Sequence, residues 1–298
     1  MHCDTRQGAW PLEVLKKRVG LESWSFTARY AASGNSICFC SDNKVRMTRL
    51  RSLSSGERNR PKETFRRLVE FSGFRRLSLQ QYRDHVREIY DGPAGAVLAF
   101  GSLISLHEPL IGHVFRSRKF DVTRFRSVLD VGSGAGQILR HLLKETRPAT
   151  RLVAYDLSAQ MLRRAQHRLK SHRPHFITGD MMQLPFADNA FDCVTCGWVI
   201  EHLPDPRPGL LEIGRVLKPC GSALILATED TLSGAVVSRT WKCRTYNRQE
   251  LQSACDEAGI PWKEQLWFTR VHRFFKMGGI LVEVTKPASA AGAAHSSA

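Results

Sequence analysis

A glycine-rich turn follows the first short apolar run of the sequence, at Asp130-Val131-Gly132-Ser133-Gly134-Ala135-Gly136. Glycines at this spacing permit a tight turn and a close backbone approach to a ligand, and a following helix presents its positive N-terminus to an anion. The dinucleotide-binding fingerprint would need glycine at position 137, where the chain has Gln137. The P-loop ending and the nucleophile elbow of hydrolases are also absent. What remains is the pattern D-x-G-x-G-x-G, with an ordinary turn as the alternative.

Two carboxylates follow the next two strand patterns. Asp156 ends the second apolar run, and Asp180 comes directly after the third. An ionised carboxylate only accepts hydrogen bonds, so each can bind hydroxyl or amine donors of a ligand. Either aspartate alone could instead be a strand terminus or turn residue, since Asp is common in turns. Their joint spacing behind the glycine turn favours a ligand site.

One histidine and a pair of cysteines complete the candidate chemistry. His202 follows the fourth apolar run, where a neutral imidazole could accept a proton from a hydroxyl or an activated carbon. The alternative is a histidine that packs or caps in the loop. Cys193 and Cys196 form a C-x-x-C, but three residues apart in a strand their side chains lie on opposite faces, which prevents shared metal ligation or a disulfide. We expect reduced, buried cysteines and no metal site.

These residues need an alternating sheet to bring them together. Apolar runs predict seven strands, at residues 127–131, 152–155, 175–178, 193–197, 223–227, 262–268 and 280–284, with helical patterns between most of them. Strands alternating with helices imply an α/β fold with a doubly wound, mostly parallel, Rossmann-like sheet. In such sheets ligands bind at the carboxyl ends of the strands, beside the first strand.

The sequence around the glycine turn, Val128-Leu129-Asp130-Val131-Gly132-Ser133-Gly134-Ala135-Gly136, resembles the first motif of class I S-adenosylmethionine-dependent methyltransferases. The resemblance extends over about residues 90–285. It implies S-adenosyl-L-methionine as cofactor, with Asp156 holding the ribose hydroxyls and Asp180 and the amide after it binding adenine. The cofactor-binding residues it implies are Asp130, Gly132, Ser133, Gly134, Gly136, Asp156, Leu157, Asp180, Met181, Gly197 and Trp198.

The acceptor is predicted to be a small organic molecule, methylated at O or C. Strand four lacks the D/N-P-P-Y motif of many nucleic-acid amino-methyltransferases, and Gly197-Trp198-Val199-Ile200-Glu201-His202 is more similar to small-molecule enzymes, including the quinone-biosynthesis type. An RNA methyltransferase and a non-catalytic binding member of the fold stay as alternatives. A later cluster could bind an acceptor anion or be a solvated loop; its members are Arg239, Trp241, Lys242, Arg244 and Tyr246.

Charge and composition divide the chain. Of the net charge of +16, residues 1–80 hold +9, from 16 basic and 7 acidic residues. We expect a basic, flexible and dispensable arm at 1–60, a helical cap at 61–126, the methyltransferase domain at 127–286 and a disordered tail at 287–298. The arm could bind RNA, although the nearly balanced catalytic region favours a small acceptor. No membrane span or secretory signal is visible, so we expect a cytoplasmic protein; the sequence does not indicate an oligomeric state.

Overall fold

The protein is represented by a computed structural model that describes residues 81, 84, 107–231, 234, 238, 243–275 and 278–288. The predicted basic arm, nearly all of the predicted helical cap before residue 107 and most of the C-terminal tail lie outside these residues; Gln81 and Asp84 are helical. The predicted domain boundaries therefore stay predictions.

Seven strands form one sheet in the order β3-β2-β1-β4-β5-β7-β6. Their bounds are Ser127–Val131 (β1), Arg151–Asp156 (β2), Pro174–Thr178 (β3), Phe191–Gly197 (β4), Leu217–Ala227 (β5), Trp262–Gln265 (β6) and Ile280–Thr285 (β7). The first five strands run parallel, and β7 pairs antiparallel with β5 and β6. The predicted doubly wound, mostly parallel sheet of seven strands is confirmed, and the order in which strands are added to the sheet reverses between β1 and β4.

Helices cover both faces of the sheet. Their bounds are His107–Arg116 (α1), Gln137–Glu145 (α2), Ala159–Leu169 (α3), Arg207–Val216 (α4), Arg248–Glu257 (α5) and Arg270–Phe275 (α6), with short 3-10 turns at Val122–Arg124 and Ile200–His202. One buried cluster joins Leu210 of α4 and Leu251 of α5 to the sheet, and the other joins Ile111 of α1 and Leu142 of α2. The two apolar layers hold the strands in place from both faces of the sheet. Helix α1 and the 3-10 turn Val122–Arg124 lie within the range predicted for the helical cap.

The C-terminal half contains helix α4, whose N-cap residue is Pro206, and the Asp205 carboxylate accepts the Arg207 N–H at 3.0 Å. Two strands in this half differ from their predicted bounds. Strand β5 begins at Leu217, earlier than the predicted start at 223, because Leu217 already pairs with Phe191 before a register shift. Strand β6 ends at Gln265 rather than 268, and the unpredicted helix α6 follows it.

A buried carboxylate fastens α1 to the helices beside the glycine turn. The Glu108 side chain is 4% exposed and accepts two hydrogen bonds of 2.6 Å from Arg168 and one of 3.0 Å from Arg140. Burial alone would raise the pKa of Glu108, but hydrogen bonds and charge from the two arginines outweigh it and hold the pKa below its ordinary value. Glu108 therefore ties α1 to α2 and α3, in addition to the apolar packing of Ile111.

We predict that Glu108→Ala lowers the free energy of unfolding by about 1–3 kcal/mol, because it leaves two guanidinium groups without their shared acceptor. Denaturant unfolding measures it. A lowered carboxyl pKa stabilises the fold at neutral pH and loses that effect as pH falls through the folded-state value, so the difference should shrink in acid.

Glu257→Ala is the matched control, since Glu257 pairs with Arg207 at 2.9 Å on the surface, where an ion pair contributes at most about 0.5–1 kcal/mol. Equal losses in the two variants would contradict a structural role for Glu108.

Candidate functional site

The glycine turn joins β1 to α2 in a conformation that only glycine adopts easily. Gly132, Gly134 and Gly136 have φ values of +68°, +52° and +84°. A β-carbon on Gly132 would also collide with the side chain of Val199, in the loop after β4. Glycine at position 132 is therefore needed both for the turn and for close contact between the loops after β1 and β4.

Asp156 lies directly against this turn. Its Oδ2 accepts the Gly134 N–H at 2.8 Å, and its Oδ1 accepts the Ser158 N–H at 2.8 Å. The Gly132 N–H donates to the Tyr155 carbonyl at 2.7 Å. The carboxylate that sequence reasoning assigned to ribose thus also holds the glycine turn to the end of β2.

Asp180 lies at the same sheet edge, after β3. The Gly179 N–H donates to the Asp156 carbonyl at 2.9 Å, and the Tyr155 hydroxyl donates to the Asp180 carbonyl at 3.1 Å. The Asp180 Oδ1 accepts the Met182 N–H at 2.9 Å. Tyr155 was not predicted to belong to the site, since its place in an apolar strand run indicates only burial.

The side chain of Met181 is in the hydrophobic core, 4% exposed. The backbone amide of Met181, which the resemblance places against adenine, follows Asp180 at the sheet edge. Met181 can therefore serve a ligand through its main chain while its side chain packs inward.

Asp130 is a buried carboxylate beneath the glycine turn. Its Oδ1 accepts the Thr195 hydroxyl at 2.6 Å, while the Ser133 hydroxyl donates to the Asp130 carbonyl at 2.8 Å. Its Oδ2 has no hydrogen-bond partner among the described residues, and burial raises the pKa of Asp130 to about 7. An acceptor left unsatisfied inside a protein is costly, so Oδ2 fits a donor brought by a ligand or its water, such as the ammonium of an amino acid.

Gly197, Trp198 and Leu157 lie at the same edge in supporting positions. A β-carbon on Gly197 would collide with Ile138 of α2, so this glycine permits close helix packing. Trp198 has a φ of +57°, its N–H donates to the Leu226 carbonyl at 3.0 Å, and its ring packs on the core cluster of α1 and α2. Leu157 is half-buried against the opposite cluster. The predicted cofactor residues therefore converge on one edge, although several of them act there through packing.

The loop after β4 holds His202 in the 3-10 turn Ile200–His202. The residue is 6% exposed, and its N–H donates to the Val199 carbonyl at 3.0 Å. The Tyr246 hydroxyl donates to the Ile200 carbonyl at 2.8 Å. The backbone of this turn is fixed, which sets where the imidazole lies.

Glu201 was missed as a site residue by the sequence reasoning. Its buried carboxylate accepts the Thr228 N–H at 2.7 Å, and the Arg244 N–H donates to its carbonyl at 2.9 Å. Burial raises the pKa of Glu201 to about 7. The signal available in the sequence was an acidic residue within an apolar run, Trp198 to Leu203, where only a specific partner would justify it.

Arg244 and Tyr246 are buried. This burial differs from the solvated loop that was one of the two predictions for residues 239–246. The Arg244 guanidinium is 2.7 Å from Glu250, donates to the Pro204 carbonyl at 3.2 Å and lies 4.3 Å over the Tyr246 ring. These contacts hold the loop after β4 instead of presenting a cation to a ligand. The other three members of the cluster, at 239, 241 and 242, lie outside the described residues.

The predicted burial of Cys193 and Cys196 on opposite faces of a strand is confirmed, because the two side chains lie in opposite core clusters. Cys220, by contrast, is exposed. No group of three potential metal ligands occurs in the described part of the chain, and the absence of a metal stays a prediction. Within the same residues, no helix has the length and apolar character needed to cross a bilayer.

Comparisons with known proteins agree with this geometry. A family model described as a methyltransferase domain matches residues 129–225. The demethylmenaquinone methyltransferase of Geobacillus stearothermophilus is 30% identical over 159 residues, covering 52% of this chain and 68% of that protein. The ubiquinone/menaquinone biosynthesis C-methyltransferase UbiE of Hahella chejuensis is 28% identical over 158 residues, covering 52% and 64%.

A solved structure shares the fold. The methyltransferase in complex with the Trm112 methyltransferase activator of Haloferax volcanii superposes with a TM-score of 0.54 at 22% identity, covering 64% of this chain and 96% of that one.

The sheet order and the glycine turn define the class I methyltransferase fold. The chain belongs to the S-adenosylmethionine-dependent methyltransferase family, whose cofactor is S-adenosyl-L-methionine. It spans just under two thirds of the length of the UbiE proteins that it matches.

We predict that Asp156→Ala weakens binding of S-adenosylhomocysteine by about 1.5–3 kcal/mol, or about 10- to 150-fold, because a charged acceptor at the turn is lost. Asp156→Asn, which keeps one acceptor oxygen, should lose less. Calorimetric titration of the folded variants measures both.

Asp256→Ala is the control, since Asp256 is exposed on α5 far along the chain from the turn. Wild-type affinity in Asp156→Ala would contradict the assignment of this carboxylate to the cofactor.

Proposed function

We propose that this chain acts in the cytoplasm and transfers a methyl group from S-adenosylmethionine to a ring carbon of a small quinol-type acceptor, with O-methylation as the second possibility. The observation that carries it is the meeting of the glycine turn, Asp130, Asp156 and Asp180 at one sheet edge. The relatives named as quinone-biosynthesis C-methyltransferases support the acceptor class.

The residues present suit the cofactor's separate parts. Each oxygen of the Asp156 carboxylate has two lone pairs, so the side chain can accept from ribose hydroxyls as well as from the Gly134 and Ser158 N–H groups. Asp180 can accept an exocyclic amine, with the Met181 amide beside it. The unsatisfied Oδ2 of Asp130 suits a donor from the amino-acid end. The site thus offers acceptors to every donor-bearing part of the ligand.

When bound, S-adenosylmethionine supplies an activated methyl group on a sulfonium, and S-adenosylhomocysteine is the leaving group. The chain's contribution is then chiefly alignment, for which a rigid loop after β4 is required. Glu201, Tyr246 and Arg244 supply that rigidity through hydrogen bonds to the backbone of residues 200, 201, 204 and 228. We assign to His202, at the end of the fixed turn, the role of the base that takes the proton which a quinol hydroxyl or ring carbon releases.

The acceptor class is tested by incubating the full chain with methyl-labelled S-adenosylmethionine and, in separate reactions, a reduced naphthoquinone, a reduced benzoquinone and total RNA. We expect a ring-methylated quinol, identified by mass spectrometry. Label found only in RNA would favour the RNA enzyme with its basic arm. Cofactor binding without transfer to any acceptor in cell extract would favour a non-catalytic protein.

For His202 we predict that His202→Ala lowers kcat by about 100-fold or more on a protonated quinol, the usual scale of general-base catalysis, with S-adenosylhomocysteine affinity within about twofold. Steady-state rates between about pH 6 and 8 span the ordinary imidazole titration. His113→Ala, on the exposed side of α1, is the control. Wild-type turnover in His202→Ala across that range would show that alignment alone suffices.

A further inference from the structure

Helix α6 presents a cluster of large apolar side chains to solvent. Val271, Phe274 and Phe275 are 62%, 80% and 62% exposed, and the two phenylalanine rings lie edge to face with centroids 5.0 Å apart. Among the described residues, the only other exposed large hydrophobic side chain is Leu211, at 53%. Positions i, i+3 and i+4 share one helix face, so these three residues form a single surface, here called the aromatic ridge.

The charged side chains of α6 are all basic. Arg270 and Arg273 are exposed on the same helix, and α6 contains no acidic residue. The opposite side of the helix is anchored, because the His272 ring contacts Thr269 Oγ1 at 2.7 Å and packs edge-on against buried Phe268. The ridge is therefore held outward by packing beneath it.

The aromatic ridge lies at the sheet edge that carries the cofactor residues. Strand β7 follows α6 and runs antiparallel to β5, so its first residue, Ile280, pairs with Ala227, the last residue of β5. The carboxyl end of β5 is the edge where the loops after β1, β2 and β4 meet. Helix α6 and the proposed acceptor site therefore lie at the same end of the sheet, and a surface bound to α6 would be next to that site.

We propose that the aromatic ridge docks on the surface of an anionic lipid bilayer. Exposed aromatic side chains flanked by arginines suit such a surface. The rings insert at the boundary between headgroups and acyl chains, and the guanidinium groups pair with lipid phosphates. A partner protein or a second copy of this chain would need acidic or apolar complementarity to the same face, and α6 itself offers no acidic group for a self-contact. The contact is peripheral and reversible, because two helical turns bury little apolar area.

The test is flotation of the full chain with vesicles of phosphatidylcholine and phosphatidylglycerol at 70:30, and with pure phosphatidylcholine. We expect binding to the anionic vesicles that falls at least about tenfold in Phe274→Ser/Phe275→Ser and weakens in Arg270→Gln/Arg273→Gln and at high salt. Leu211→Ser, the matched exposed apolar site on α4, should bind like the wild type. Unchanged melting temperatures establish that the variants are folded.

Three results would overturn the proposal: no vesicle binding by the wild type, full binding by Phe274→Ser/Phe275→Ser, or equal loss in Leu211→Ser. Full binding by the phenylalanine variant would assign the interaction to another basic part of the chain. A concentration-dependent dimer that disappears in that variant, without vesicle binding, would identify a second copy as the occupant. No acceptor is present in this assay, so its failure is separate from failure of the proposed reaction.

Discussion

The site depends on hydrogen bonds that join the ends of neighbouring strands. The Asp156 carboxylate accepts the Gly134 N–H, and the Tyr155 carbonyl accepts the Gly132 N–H. The turn after β1 is therefore tied to the end of β2. The Gly179 N–H then ties the end of β3 to Asp156. The core clusters on both faces hold the strands in position, so these few hydrogen bonds determine the shape of the carboxyl edge of the sheet, where ligands bind in this fold.

Two buried carboxylates lie behind this edge at an energetic cost. Burial raises the pKa of both Asp130 and Glu201 to about 7. A raised carboxyl pKa means that the folded state binds protons more tightly than the unfolded state, so both groups reduce stability as pH rises from about 4 to 7. Glu201 recovers part of that cost through the Thr228 N–H, whereas Asp130 keeps an unsatisfied oxygen. A bound donor at Oδ2 would lower the Asp130 pKa again, which couples ligand binding to fold stability.

Local signals in the sequence were enough to predict the sheet, and strand β1 has its predicted bounds. Ser158 and Asn247 are residue types that commonly precede helices, and they accept the Met161 and Glu250 N–H groups as N-caps. The start of β5 and the role of Glu201 were not predicted, because each depends on a partner that is distant in the sequence. Leu217 joins a strand because Phe191 lies beside it, and Glu201 is buried because Thr228 offers an N–H. Periodicity within a window cannot contain such information.

The same limit applies to the roles of the acidic residues. Asp156, Asp180 and Glu201 were equally visible as carboxylates in the sequence, but the structure separates them by what their oxygens meet. Asp156 and Asp180 contact turn amides at the open edge, while Glu201 faces a buried amide and so positions the loop. Asp156 and Asp180 therefore differ from Glu201 in exposure and not in chemical group, which is the basis for assigning these two to the ligand and Glu201 to the loop. Substituting Glu201 should accordingly disturb alignment of the acceptor, whereas substituting Asp156 should weaken binding of the cofactor.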